Sequence, residues 1–268
     1  MIEVTTHGEV LQIRMSRYAD FPVARWVCAY LVDGLLIDAG PSHTAEELTA
    51  ALKDKGLKLV VNTHHHEDHV SANKYLQAAY GIDIFAHPLA IDKINSPATL
   101  YPFQEEVWGY PVPSLVKPVG SYLETQHYRF DVISTPSHDL DHICIFEPQN
   151  GWLFTGDLYV TTRPVVCRPI DDMWGLLADL KKLRSLNPTM IFPAPTHVVK
   201  NPCVKLDNLI TYLGDLGSRI DSLYNMGMKE EQIRDEIFGA ESPLAQLTEQ
   251  EFSSLNMVIS FLRRYGAL

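Results

Sequence analysis

Residues 57–69, "LKLVVNTHHHEDH", run an apolar β-type segment straight into four histidines and two carboxylates. The branched and apolar residues behind Gly56 read as a buried strand. In extended chain, alternate residues share a side, so His64 and His66 project one way and His65 and Glu67 the other. Asp68 and His69 begin the following turn and approach the same space from below. The cluster therefore divides into two pairs, His64 with His66 and Asp68 with His69, and His65 stands outside both as a packing or hydrogen-bonding residue.

Imidazole and carboxylate donors suit zinc, and also iron or manganese. Neither pair suffices alone, because a catalytic zinc site usually has three protein ligands plus water. The missing donors belong at other strand ends, where loops converge on one edge of a sheet. Three residues qualify. His138 follows the strand "FDVIST" in "TPSHDLDH", Asp157 follows "GWLF" in "LFTGDL", and His197 follows "TMIFPA" in "APTH".

Around the cluster the chain alternates strands and helices. "EVLQIRM" and "WVCAYLV" are strands, and Asp33-Gly34 predicts a tight hairpin into "GLLIDAG". "SHTAEELTAALKDKG" has helical spacing, a Thr44/Glu47 capping box and a stop at Gly56. "SANKYLQAAYG" is a helix and "IDIFAH" a strand, a progression that predicts an α/β layered arrangement. Residues 96–118 carry five prolines and predict a long irregular insert. "HYRFDVIST", "HICIFEP" and "GWLFTGD" are further strands, "DDMWGLLADLKKLRSL" is an amphipathic helix, and from residue 203 only helical patterns remain. The expected organisation is a catalytic domain over 1–202 and a helical region over 203–268.

Composition narrows the function. The chain has 268 residues, 46% hydrophobic and 21% charged, ordinary for a globular protein. Its net charge of −11, from 33 acidic against 22 basic residues without a basic run, counts against nucleic acid as the main partner. The opening "MIEVTTHGEVLQIRM" has no basic region followed by an apolar core, and no apolar stretch approaches a membrane span, so a cytoplasmic location off the membrane is expected. The four cysteines, Cys28, Cys144, Cys167 and Cys203, form no CxxC pair and read as reduced thiols.

The order H-x-H-x-D-H, followed by His, Asp and His after successive strands, resembles the metallo-β-lactamase-fold hydrolases over roughly residues 1–200. That resemblance implies a four-layer αβ/βα sandwich with the site at one edge. It implies two divalent metal ions, zinc foremost and iron or manganese as alternatives. One would be held by His64, His66 and His138, the other by Asp68, His69 and His197, with Asp157 bridging. "LLIDAG" is similar to a family segment whose aspartate hydrogen-bonds a ligand histidine, which gives Asp38 that role. Within the family, "HICIFEP" followed by "WLFTGDLYV" looks most like the hydroxyacylglutathione hydrolases (glyoxalase II), which also have a helical C-terminal region. Ser137 stands where those enzymes usually have glycine, the last histidine lies in "PTHV", and "LYVTTRPVVCRPIDD" lacks their usual continuation. These departures bear on the substrate rather than on the donors.

The implied reaction is hydrolysis of a small-molecule thioester, lactone or related ester, with Asp68 both holding a metal and accepting a proton. Two relatives of the same fold make different expectations. A mononuclear iron persulfide dioxygenase would fill one donor set only, and an endoribonuclease or phosphodiesterase would bind RNA in a salt-sensitive way. Substrate-binding residues and the oligomeric state have no signal in the sequence.

Overall fold

In the run "VCAYLV", alternate residues face opposite ways, and this alternation builds the layers. The structure, a computed structural model, describes residues 1–18 and 26–265. Its first sheet lines up β1 (Ile2–His7), β2 (Val10–Met15), β3 (Val27–Val32), β4 (Leu35–Ile37), β5 (Leu59–Val61), β6 (Asp83–Ala86) and β7 (Lys117–Pro118) in that order. β1 to β4 pair antiparallel, and β4 to β7 pair parallel. The second sheet comprises β8 (Tyr122–Glu124), β9 (Arg129–Ser134), β10 (Ile143–Glu147), β11 (Trp152–Gly156), β12 (Met190–Pro193) and β13 (Val199–Lys200), again in spatial sequence.

From β3, Cys28, Tyr30 and Val32 point inward, where they meet Phe130, Ile143, Ile145, Phe154 and Phe192 of the second sheet. Phe154 and Phe192 stack with centroids 4.8 Å apart, and Tyr30 packs against both rings. Such pairs contribute about 0.5–1.5 kcal/mol beyond their buried area. The Tyr30 hydroxyl donates to the Pro193 carbonyl at 2.6 Å, a polar tie between the sheets. Val27, Ala29 and Leu31 face outward instead, under α1 (Ala45–Ala51) and α3 (Asn73–Tyr80).

The second sheet repeats the logic. Cys144, Phe146, Leu153 and Ile191 face away from the first sheet, towards α6 (Met173–Ser185), α7 (Pro202–Asn225), α8 (Glu230–Phe238) and α10 (Ser254–Leu262). The result is a four-layer αβ/βα sandwich. The helices after residue 203 share one core with α6 and the outer face of the second sheet, so their apolar faces are covered by the sandwich itself. The short α9 (Pro243–Leu247) lies between α8 and α10 in the chain. No helix among the described residues is long and apolar enough to cross a membrane.

Local expectations fared unevenly. Asp33 and Gly34 take φ of 47° and 85°, as a two-residue hairpin turn with both central residues left-handed requires. The Thr44/Glu47 capping box is corrected. A 3-10 turn over Ser42–Thr44 leaves Thr44 at φ −117°, ψ 10°, and its hydroxyl donates to the Pro41 carbonyl instead. α1 also stops at Ala51, and Gly56 closes a later turn at φ 72°. The insert is more regular than its prolines suggested. It contains α5 (Pro102–Trp108), with proline in the first turn and the Gln104 side chain accepting from the Tyr101 amide at 2.9 Å, and it ends in β7 at the sheet edge.

Candidate metal centre

The strands β5, β9 and β11 run to one edge of the sandwich, and the loops beyond them carry the polar cluster. After β5 the chain continues through Asn62 and Thr63 to the histidines, and α2 (Glu67–Val70) starts within the motif. The two-sided division of the motif is visible in the contacts. His64 Nε2 lies 2.8 Å from His66 Nδ1. His65 turns to the other side, where its Nδ1 lies 3.0 Å from Asp141 Oδ1.

Two donor sets form among the described residues. His64, His66, His138 and Asp157 have ligand atoms within 4.8 Å of one another, and so do Asp68, His69 and Asp157. Asp157 belongs to both. His69 Nε2, His138 Nε2 and Asp157 Oδ1 are buried without a hydrogen-bond partner. They also converge: His69 Nε2 is 3.2 Å from Asp157 Oδ1, and His138 Nε2 is 3.8 Å from Asp157 Oδ2. An unpaired buried polar atom costs about 1–3 kcal/mol, so three that face one another fit a bound cation better than an empty core. A third set, His65, His66 and Asp139, also satisfies the distance, but the Lys93 ammonium already lies 2.8 Å from Asp139 and neutralises it.

His197 is not brought to either set. It is exposed, because the chain bends beyond β12 and turns this imidazole to solvent. Among the described residues the second set groups Asp68, His69 and Asp157, and His197, expected there, lies outside that group.

Asp38 sits beneath the cluster with φ 62°. One of its oxygens accepts from the Thr63 amide at 2.7 Å, and the other lies 2.8 Å from His69 Nδ1. The Thr63 hydroxyl bridges Asp38 and His64 Nδ1. These contacts turn the opposite nitrogens, His69 Nε2 and His64 Nε2, towards the donor sets. His142, buried nearby, uses both nitrogens structurally, one on the Thr135 hydroxyl at 2.7 Å and the other accepting from the Asp157 amide at 3.4 Å.

Electrostatics keep the histidines of the first set neutral and draw a proton to the second. Burial, with the neighbouring histidines, holds His64 and His138 well below the usual imidazole range, and burial beside Arg168 holds His66 at about 3. Each of these rings is therefore neutral at neutral pH and keeps one nitrogen lone pair. Burial and the Asp157 charge push Asp68 up to about 8, although His69 opposes this. His69 goes up despite burial, drawn by Asp68, Asp38 and Asp157. Against burial, the His69 charge holds Asp157 at about 2.

These shifts make a prediction for metal-stripped protein. The unfolded chain takes up protons at His64, His66, His138 and His142 near pH 6.5, whereas the folded site resists at all four, with His142 at about 4 through burial. Asp68 and, above pH 6.5, His69 work the other way, since their folded side chains keep a proton that the unfolded ones lose. The four imidazoles outweigh them. Their stabilisation is present above pH 6.5 and is lost as the pH falls towards 4, at roughly 1.4 kcal/mol per pH unit for each net proton. Thermal melts in chelator from pH 7 to 4.5 should show a falling Tm; a Tm that rises into acid would contradict the buried neutral imidazoles.

Gly156, the residue before Asp157, has φ 49°, and a Cβ there would come within 2.8 Å of both His142 Nε2 and the Thr63 hydroxyl. Gly156→Ala combines left-handed strain with overpacking against two buried groups. A loss of about 2–4 kcal/mol is expected, read as the shift of a urea midpoint at unchanged slope; a wild-type midpoint would show that the loop is free to relax.

Several neighbours carried no sequence expectation. Arg168 enters the site from the loop between β11 and α6, with its guanidinium beside His66 and His138. It pairs with Asp171 at 2.9 Å. Asp139 and Asp141, on either side of Leu140, hold Lys93 of α4 (Ile91–Asn95). The one local signal was the i, i+3 pair of opposite charges in "CRPIDD". Tyr159 is buried in the core under α6, and Arg163 is exposed.

Comparison with known proteins agrees with this layout. The pattern of the metallo-beta-lactamase superfamily matches residues 28–195. A probable metallo-hydrolase, YybB, of Bacillus subtilis is 30% identical over 151 residues, 56% of this chain and 67% of that protein. The hydroxyacylglutathione hydrolase of Vibrio cholerae (strain M66-2) is 31% identical over 176 residues, 63% of this chain and 59% of its own. That of Pelagibacter ubique is 30% identical over 115 residues, 42% of this chain and 41% of its own. The chain thus spans less than two thirds of either of these hydrolases. Among solved structures, a beta-lactamase domain protein from Burkholderia ambifaria has a TM-score of 0.72 at 13% identity, covering 98% of this chain and 88% of its own. With the four layers, the donors at one edge and a family match over most of the sandwich, the chain belongs to the metallo-beta-lactamase superfamily.

Proposed function

We propose that this chain is a metal-dependent hydrolase that opens a small thioester, lactone or related ester. The observation that carries the reading is the pair of donor sets sharing Asp157, with three orphaned buried atoms facing each other between them. The family supports the metal, and the relatives named hydroxyacylglutathione hydrolases, at about 30% identity, support the ester class.

His64, His66, His138 and Asp157 would hold one divalent ion, and Asp68, His69 and Asp157 the second. When bound, such ions supply Lewis acidity, which makes a water nucleophile available near neutral pH and polarises a carbonyl. The chain's own groups do the rest. Asp38 and Thr63 fix the rings of His69 and His64 before any ligand arrives. Asp68, whose carboxyl keeps a proton up to about 8 when no cation is near, is the group placed to take and return one. His142 supports the Asp157 backbone and so the position of the shared carboxylate.

The test is metal analysis followed by a screen of thioesters, lactones and phosphodiesters with zinc-, manganese- and iron-loaded protein. Turnover of a thioester or lactone that chelation abolishes is expected. Fully loaded protein without activity on any of these would sink the proposal. The exposure of His197, which leaves the second set with three donors, favours one further reading, a mononuclear iron dioxygenase acting on a persulfide. One iron per chain with oxygen uptake and no ester turnover would establish that reading over hydrolysis.

A further inference from the structure

Arg168 lies against the outer nitrogens of two histidines in the first donor set. Its Nη1 is 2.8 Å from His66 Nε2, its Nη2 is 3.4 Å from His138 Nδ1, and Nη2 also donates to the His138 carbonyl. A guanidinium only donates. His66 Nε2 must therefore accept, and the single proton of the neutral ring resides on Nδ1. That nitrogen faces His64 Nε2 at 2.8 Å and is the one turned towards the donor set. With a proton on it, His66 has no lone pair to offer there. The same contact at His138 Nδ1 pushes that ring's proton onto Nε2, the orphaned nitrogen facing Asp157.

Two carboxylates stand where the opposite tautomers need acceptors. Asp139 Oδ2 is 3.4 Å from His66 Nε2, and Asp171 Oδ1 is 3.6 Å from His138 Nδ1. Asp139 is anchored by its other oxygen to Lys93 Nζ at 2.8 Å, which keeps Oδ2 directed at the histidine. Asp171 is occupied by Arg168 itself. The outer nitrogen of His66 therefore has two competing partners. Arg168 holds its proton inward, and Asp139 would hold it outward and free the inner lone pair.

We propose that Arg168 and Asp139 are opposing positioning residues which set the tautomer of His66, Arg168 weakening and Asp139 strengthening metal binding at the first donor set. Loading the site requires the guanidinium to leave His66 Nε2, so that the ring can donate to Asp139. This rests on the metal reading above and adds to it a residue that tunes affinity without being a ligand.

The first measurement uses wild-type protein with 15N-labelled histidine, stripped with chelator and then titrated with zinc. In stripped protein the His66 signals should report a protonated Nδ1 and a bare Nε2, and zinc should move the proton to Nε2. A protonated Nε2 before zinc is added would overturn the proposal. The second is zinc affinity by competition with a chromophoric chelator. Arg168→Met should bind about tenfold or more tightly, and Asp139→Asn about 10–100-fold more weakly, the range expected when a partner of a ligand histidine is lost. Arg168→Met leaves Asp171 without its partner, and if that variant fails to fold, the wild-type spectra and Asp139→Asn still decide. If Arg168→Met binds zinc more tightly while its stripped His66 still carries the proton on Nδ1, simple repulsion is at work and the tautomer proposal falls. Wild-type protein that takes up no zinc would defeat the metal reading together with this one. Zinc uptake with affinity unchanged in Arg168→Met and Asp139→Asn would defeat this one alone.

Discussion

His66→Ala is expected to empty the first donor set, lowering metal affinity by more than about 100-fold, beyond the roughly 10–100-fold cost of losing an outer partner. The imidazole is the junction of that set. Its Nδ1 meets His64 Nε2 at 2.8 Å, and its Nε2 lies between Arg168 and Asp139. Removing it deletes a donor and leaves the Arg168 guanidinium facing a site meant for a cation. His65→Ala is the matched comparison, one residue away. His65 faces Asp141 and Lys93, so its loss should cost about 1 kcal/mol of stability through one hydrogen bond and leave the metal in place. Metal content of the two purified variants decides the matter, and equal loss in both would contradict the two-sided geometry of the motif.

That contrast was legible because neighbouring residues of an extended stretch face opposite ways, and the bend after β5 keeps His65 turned away from His64 and His66. The same rule exposed the layers, since "VCAYLV" and "HICIF" each send alternate residues to two different cores. It also located His64, His66, Asp68, His69, His138 and Asp157 near one edge, because each follows a recognisable strand or belongs to the motif. The strand-end rule fixes neighbourhood and leaves direction open. His197 obeys it as well as His138 does, yet the bend after β12 sends its ring to solvent. Arg168 was hard to see for the complementary reason. It sits in the loop between β11 and α6 and, apart from Asp171 three residues on, its partners His66 and His138 come beside it only after folding. The Thr44/Glu47 box failed locally, because the 3-10 turn denied Thr44 the extended backbone that a capping residue needs.

Asp38→Asn separates folding from metal binding more sharply than any change to a ligand. Asparagine tolerates the left-handed φ of 62° and keeps the size of the side chain. Its oxygen can still accept from the Thr63 amide, which Asp38 holds at 2.7 Å. The amide nitrogen must then face His69 Nδ1, 2.8 Å from the present carboxylate oxygen. An amide NH2 only donates, so it forces His69 Nδ1 to accept and moves the ring proton to Nε2. That is the atom directed at Asp157, and it loses the lone pair the second donor set requires. The substitution also removes a negative charge that raises the His69 pKa, leaving Asp68 and Asp157 as its acidic neighbours. Asp38→Asn should therefore melt within a few degrees of wild type while binding its second metal ion about 10–100-fold more weakly. Asp38→Ala, which strands the buried Thr63 amide as well, should lose about 2–4 kcal/mol in addition. Two-site metal titrations and melts of both variants test this. Undiminished second-site affinity in Asp38→Asn would mean that His69 is oriented by something other than Asp38.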